Sequence, residues 1–223
     1  MLEILNTKVY DLRECVIASG YAMTTKPADY DSEEAFQKGL VRMRRLVNAS
    51  KNSDVKCHHN AITGIRVSFD IKYPQYISPE LQRYHWIDIV TSQSKMHRLL
   101  KMDINKSCNK FVSQSQVNTL QKDIDLWNKI DSENIERYTF NLRNGEKIEA
   151  ETHQDCLFYA WMCCISDCPM GLELIMRVST NYMQLQTIYK QRRHHKLKLD
   201  WGPFCDWIEK LPYFKTLFLG EED

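Results

Sequence analysis

The longest amphipathic pattern in the chain lies between Pro169 and Gly202. Apolar residues recur there at steps of three and four, the spacing of one helix face: Ile175, Val178, Tyr182, Leu185 and Tyr189. Proline suits a first helical turn, and no helix breaker occurs between Leu172 and Gly202. The pattern predicts one long helix over 172–197, with the polar Asn181 within its buried stripe.

A second pattern has the period of a strand. From Ile65 to Tyr73, apolar and polar residues alternate strictly, which is typical of a sheet with one buried face. Val67, Phe69 and Ile71 share that face. We therefore expect 61–73 to be the central strand of the sheet.

The remaining patterns predict the elements around this strand. Helical spacing occurs over 33–47, 113–130 and 154–166, and shorter helices are expected from Ser78-Pro79 onward to Asp88 and over 203–210. Asn144-Gly145 lies between two short alternating runs and predicts a β-hairpin near 138–150. The fold class is α/β (α+β): an antiparallel or mixed sheet covered by the long helices of 33–47, 113–130 and 172–197.

Composition places the chain among ordinary soluble proteins. It has 223 residues, 43% hydrophobic and 26% charged, which fits a single domain over 1–223. The formal charge of +1 supplies no general attraction for nucleic acid or for a membrane surface. No apolar run approaches the roughly 20 residues that span a bilayer, and the start lacks a signal-peptide pattern. We expect a cytoplasmic protein without a membrane partner.

The eight cysteines do not predict a metal site. Cys163, Cys164 and Cys168 lie near Cys156, and Cys57 precedes two histidines, but paired C-x-x-C or H-x-x-x-H spacings do not occur. Buried free thiols are the favoured interpretation, and no metal is expected.

The end of the predicted long helix is rich in cations. They are Lys190, Arg192, Arg193, His194, His195 and Lys196. Cations at a helix C-terminus complement the helix dipole, so the plain interpretation is a solvated helix end. In that case an arginine there contributes little to stability.

Two sets of residues resemble the flavin-dependent thymidylate synthases. Pro169, Asn181 and, eleven residues further, Arg192 fall on positions of that family's C-terminal core. Upstream, the family has Arg-His-Arg on a helix and then a Ser-x-x-x-x-Ser-x-Arg loop. Arg83 matches the first arginine, Tyr84 and His85 stand at the next two positions, and Arg98 matches the closing arginine after three extra residues. The resemblance covers about residues 10–210 without the hairpin, which is then an insertion.

The resemblance implies a homotetramer that binds FAD and transfers a one-carbon group to C5 of a pyrimidine deoxynucleotide, dUMP or a related nucleotide. Methylenetetrahydrofolate and NADPH would be the co-substrates. The implied flavin-binding residues are Arg83, Tyr84, His85 and Asn181. The implied nucleotide-binding residues are Gln93, Ser94, Arg98 and Arg192; the resemblance leaves the catalytic residues unassigned.

Two positions depart from that pattern. Ile165 stands where the family has an arginine that holds the nucleotide, and Met96 replaces a loop serine. Losing one such phosphate contact costs roughly ten- to hundredfold in affinity, unless Lys95, His97 or Arg193 compensates. A non-catalytic relative that binds a nucleotide or a partner protein is therefore the alternative. A nucleic-acid binder using 190–198 is a third, and the neutral net charge counts against it.

Overall fold

The computed structural model describes residues 1–51 and 59–220, so Cys57 and His58 lie outside the described residues. These residues form two compact units. The first comprises Met1–Tyr73, Pro79–Ser92 and Ile175–Asp223, and the second comprises Pro74–Ser78 and Gln93–Leu174. The prediction of a single domain over 1–223 stays a prediction.

The described residues form strands, α-helices and short 3-10 turns. The strands are β1 Glu3–Tyr10, β2 Arg66–Pro74, β3 Asp88–Ser92, β4 Tyr138–Asn141, β5 Lys147–Ala150 and β6 Glu173–Asn181. The helices are α1 Leu12–Ala18, α2 Glu33–Lys51, α3 Ser78–Leu81, α4 Lys95–Arg98, α5 Ile104–Ser107, α6 Gln114–Ser132, α7 His153–Ser166, α8 Tyr182–Arg192, α9 Lys198–Glu209 and α10 Phe214–Phe218. Short 3-10 turns lie at Tyr21–Met23, Asn60–Thr63, Gln75–Ile77 and Leu99–Lys101.

A four-stranded sheet of order β1-β2-β6-β3 organises the first unit. The pairs β1–β2 and β3–β6 are antiparallel. The prediction for the central strand is confirmed from Arg66 onward, because β2 is an inner strand and Val67, Phe69 and Ile71 are at most 1% exposed. The start of the predicted range is wrong, since Asn60–Thr63 forms a 3-10 turn. In the same unit, α2 packs against α1 and α10, and α8 packs against α9. The helix expected over 33–47 is therefore present.

The long helix predicted over 172–197 is wrong. Residues 173–181 form β6, and the helix α8 begins only at Tyr182. Leu174, Met176, Val178 and Thr180 are buried in alternation, whereas Ile175 is exposed. Val178 satisfies both periods, since it follows Ile175 by three residues and Met176 by two. The strand period decides the structure because β6 pairs with strands on both of its sides.

Two neighbouring predictions also need correction. The helix that begins at Ser78-Pro79 ends at Leu81, and 88–92 is an edge strand rather than a helix end. The short helix expected over 203–210 begins earlier, at Lys198, and contains Gly202 and Pro203, which were expected to precede or start it.

The second unit has a core formed by two helices and a β-hairpin. Helices α6 and α7 pack together, and the hairpin β4–β5 packs against them around Ile130, Phe140 and Cys156. Gly145 lies in the hairpin turn at φ +88°, a conformation that favours glycine. The hairpin is confirmed; its status as an insertion stays a prediction, as does the place of 113–130 on the sheet. None of the helices described is both long and apolar enough to cross a bilayer.

Candidate functional site

An arginine at the end of α8 organises a half-buried polar cluster in the first unit. Arg192 Nη1 lies 3.0 Å from Glu80 Oε2, and Arg192 Nε donates to the Tyr84 hydroxyl at 2.7 Å. The guanidinium carbon lies 4.7 Å from the centre of a ring of Trp201, close enough for a cation–π contact. The Trp201 indole N–H donates to the same Glu80 oxygen at 2.8 Å. We call Glu80, Tyr84, Arg192 and Trp201 the Arg192 cluster.

Burial makes these contacts stronger than those of a surface pair. The side chains of Arg192 and Glu80 are 14% and 25% exposed, and Trp201 is fully buried. Burial raises the pKa of the Tyr84 hydroxyl, the Arg192 charge opposes that shift, and the nearby Glu80 carboxylate adds to it. Tyr84 therefore stays neutral and donates to Gln191 Oε1 at 3.1 Å.

The solvated helix end predicted for the basic run is wrong for three of its members. Arg192 belongs to the cluster, and Arg193 forms ion pairs with Asp206 and Glu209. His195 Nδ1 accepts the backbone N–H of Leu197, and its Nε2 lies 3.8 Å from Glu80. The other three members, Lys190, His194 and Lys196, are exposed, as the plain interpretation predicts.

The segment 82–87 connects α3 to β3 and carries the residues matched to the flavin motif. Its backbone is held at Trp86: the N–H donates to Gln184 Oε1 at 3.4 Å, and the carbonyl accepts from the Thr180 hydroxyl at 2.7 Å. Arg83 and His85 are exposed. His85 packs edge-on against Trp86, whose side chain is 59% exposed. Within the described parts of the chain, Arg83 has no ion-pair or side-chain hydrogen-bond partner.

Asn181 has a local structural task. Its Oδ1 accepts the backbone N–H of Gln184 at 2.9 Å, so it is the N-cap of α8. This corrects its placement on the buried stripe of a long helix. Asn181 and Arg192 still belong to one helix, at its two ends, and the Nδ2 group of Asn181 remains a possible donor.

The other predicted nucleotide-binding residues belong to the second unit. Ser94 is the N-cap residue of α4, where its backbone carbonyl accepts the N–H groups of His97 and Arg98. Gln93 directly precedes it. Arg98 and Met96 are exposed, and Ile165 is partly buried in α7. No ion pair involving the Arg98 guanidinium occurs within residues 1–51 and 59–220.

The structure thus brings together two predicted residues, Tyr84 and Arg192, and adds two that sequence reasoning missed, Glu80 and Trp201. In the sequence, Glu80 is marked only by its place at the start of a helix, directly after Ser78 and Pro79. No sequence signal pairs Glu80 with Trp201, because they are 121 positions apart. For metal ions, the described ranges contain no group of three or more suitable His, Cys, Asp or Glu side chains.

Comparison with solved structures identifies the fold. The flavin-dependent thymidylate synthase ThyX of Helicobacter pylori, complexed with FAD and dUMP, superposes with a TM-score of 0.54 over 96% of both chains, at 13% identity. A second structure of ThyX from that organism with FAD and dUMP gives 0.53 at 14% identity, over 97% of this chain and 96% of the other. This chain has the fold of a flavin-dependent thymidylate synthase. No protein-family model and no curated protein sequence matches it.

Proposed function

We propose that this protein is a flavin-dependent, thymidylate synthase-like enzyme that transfers a one-carbon group to C5 of a pyrimidine deoxynucleotide, dUMP or a related one. The observation that carries the proposal is the ThyX fold over nearly the whole chain, since the superposed structures hold FAD and dUMP. In keeping with that fold, we propose a cytoplasmic homotetramer that uses NADPH and methylenetetrahydrofolate.

The chemistry of segment 82–87 fits a flavin. FAD combines an anionic pyrophosphate with a flat aromatic ring, so its site needs a free cation and an exposed aromatic face. Arg83 offers a guanidinium without an ion-pair partner among the described residues, and Trp86 offers an exposed indole beside the His85 imidazole. We assign the pyrophosphate to Arg83 and His85. The Asn181 Nδ2 group is a donor suited to a flavin carbonyl.

Arg192 and Tyr84 would hold the segment 82–87 in position. The 2.7 Å hydrogen bond from Arg192 fixes the Tyr84 side chain, and Tyr84 lies between the two residues assigned to the pyrophosphate. We therefore propose that they position Arg83 and His85. A direct contact of Arg192 with the nucleotide, as the resemblance implies, stays a prediction.

The nucleotide phosphate would be held by Arg98 together with Gln93 and Ser94. Arg98 has the exposed guanidinium such a contact requires. When bound, the flavin would supply hydride transfer. The residues of this chain then have to bind and orient the nucleotide base and exclude water from it.

The test is the binding of FAD to the purified full chain, followed by absorbance and fluorescence. We expect micromolar or tighter binding by the wild-type protein and a loss of roughly ten- to hundredfold in Arg83→Ala. Arg45→Ala is the matched control, because Arg45 is an exposed arginine on α2, outside the proposed site. Conversion of dUMP with NADPH and methylenetetrahydrofolate then tests the reaction.

A non-catalytic relative is the second candidate, and Ile165 and Met96 favour it. Neither side chain can replace the family's arginine or serine as a hydrogen-bond donor. Measurements of binding and of product formation distinguish the two candidates. Nucleotide binding without FAD binding would overturn the enzymatic proposal and support a nucleotide-binding relative, whereas dTMP formation would exclude that alternative.

A further inference from the structure

A cleft in the second unit is lined by none of the residues assigned above. It has a volume of about 520 Å³, within the range of sites for small organic molecules. The hairpin β4–β5 and the helices α6 and α7 form its walls, which include Phe140, Ile148, Phe158, Tyr159 and Met162.

Two of these wall residues are unusually exposed for large apolar side chains. Phe158 is 55% exposed and Met162 is 43% exposed, although the same helix buries Cys156, Ala160 and Cys164 against the core. The apolar surface of the cleft is therefore available to a ligand with an aromatic or aliphatic body, which would gain free energy by covering it.

The polar part of the cleft is dominated by two carboxyl groups. Asp123 on α6 and Asp167 at the end of α7 line it and are close enough to interact electrostatically. Asp167 is exposed, whereas Asp123 is partly buried. The Oδ2 atom of Asp123 is buried and accepts no hydrogen bond from the described residues. A buried acceptor without a donor is costly, so a cation that approached this pair would be stabilised.

Among the residues that the structure describes, Arg143 is the one cation that lines the same cleft. Arg143, in the hairpin turn, is exposed and forms no ion pair with either aspartate in the ranges described. Two carboxyl groups beside several aromatic rings therefore leave the cleft with a net preference for positive charge, because aromatic faces also attract cations.

We propose that this cleft binds a small organic amine. The ammonium group lies against Asp167 and Asp123, and the aromatic or aliphatic body of the ligand packs against Phe140, Phe158 and Tyr159. The residues of this cleft are not among those proposed to bind the flavin or the nucleotide, and the binding involves no covalent step.

Binding of phenethylamine to the full-length protein, measured by calorimetry and by NMR, tests the proposal. Its neutral analogue 2-phenylethanol has the same aromatic body without the charge. We expect phenethylamine to bind in the micromolar to millimolar range and 2-phenylethanol at least about tenfold more weakly, since only the amine forms charge-assisted hydrogen bonds. Phe158→Ala should weaken amine binding severalfold, because it removes exposed apolar surface.

The charge is tested by matched variants. Asp123→Asn and Asp167→Asn should each weaken phenethylamine binding roughly tenfold or more. Asp125→Asn is the control: it removes the same charge from an exposed position of α6, where Asp125 accepts only from Gln121. Circular dichroism and thermal melting confirm that each variant is folded. Absence of binding at millimolar amine, equal binding of amine and alcohol, or equal losses in Asp125→Asn and Asp123→Asn would each overturn the proposal.

Discussion

Arg192 Nη1 and Glu80 Oε2 lie 3.0 Å apart, and that carboxylate oxygen also accepts the indole N–H of Trp201. One carboxylate thus joins the end of α8, the start of α9 and the short helix α3. The guanidinium is placed over the indole and against the Tyr84 hydroxyl. Arg192, although it is a basic residue at a helix end, is therefore part of the packing of the first unit.

Arg192→Ala should consequently destabilise the protein. It leaves Glu80 partly buried without its cation and removes the donor to Tyr84, so we expect the free energy of unfolding to fall by about 2–3 kcal/mol. Urea unfolding followed by fluorescence measures the change.

Arg193→Ala is the matched control, from the next position of the chain. Arg193 pairs with Asp206 and Glu209, and these side chains are more exposed than Arg192. Such pairs contribute about 0–1 kcal/mol. If the two alanine variants lose the same stability, the Arg192 cluster is not the structural centre that its geometry indicates.

Asn181 provides a second test, of a helix cap. Asn181→Ala removes the acceptor of the Gln184 N–H and should cost about 1 kcal/mol. Asn181→Asp keeps an acceptor oxygen, so its stability should stay close to that of the wild-type protein. If Asn181→Asp is as unstable as Asn181→Ala, the cap does not explain the effect. FAD titration of the same two variants shows separately whether the amide also binds the flavin.

The sequence predicted β2 and the hairpin well because each has one unambiguous period or turn. Phe69 and its neighbours alternate without interruption, and Asn144-Gly145 matches the positive φ of Gly145. The same reasoning gave a wrong prediction for the β6–α8 stretch, and the cause is physical. Val178 and Tyr182 continue a helical spacing across a boundary where strand becomes helix, and the buried Thr180 conceals the alternation.

The site was harder to predict than the fold, because its partners come from distant segments. The sequence singled out Arg192, Tyr84 and Arg83. It could not show that Arg192 pairs with Glu80 while Arg83 has no ion-pair partner in the described part of the chain. Whether an arginine is paired depends on tertiary packing. In the sequence, Arg83 and Arg192 are each simply an arginine near a helix end. A motif match names positions without saying which cations are already paired.

The Asp123 carboxyl predicts an unusual pH dependence. Burial, followed by the neighbouring Asp167, raises the pKa of Asp123 from 3.8 to about 6. The folded state then binds more protons than the unfolded state between these values, so this group's contribution to the free energy of unfolding decreases as the pH rises from about 4 to about 6. Other titratable or charged side chains facing the cleft are Arg143, Tyr159, Cys163 and Asp167.

Asp123→Asn should remove that decrease. The asparagine amide can donate to Asp167, so we expect the variant to equal or exceed the wild-type protein in stability at neutral pH, by on the order of 1 kcal/mol. Unfolding curves of both proteins between about pH 4 and pH 8 give the difference directly. A difference that is independent of pH would contradict the raised pKa of Asp123.

Two glycines should respond to alanine in opposite directions. Gly145 has φ +88° in the hairpin turn, so Gly145→Ala is strained and should cost about 1 kcal/mol. Gly202 lies within α9, and a Cβ added there meets no atom within 4 Å. Gly202→Ala should therefore stabilise the protein by about 0.5–1 kcal/mol. Thermal melting of the two variants measures both changes in stability. Stabilisation by Gly145→Ala would contradict the strained turn, and destabilisation by Gly202→Ala would contradict the open position in α9.

The direct passage from β6 into α8 constrains how the chain can change in length. Asn181 ends the strand and Tyr182 begins the helix, with no loop residue between them. Strand pairing fixes where the helix starts, so one residue inserted before Arg192 would rotate its side chain by about 100° away from Glu80. Substitutions can accumulate over this stretch, but insertions and deletions cannot. The eleven-residue interval between Asn181 and Arg192 would thus persist in distant relatives for reasons of folding alone, even in those that had lost every ligand.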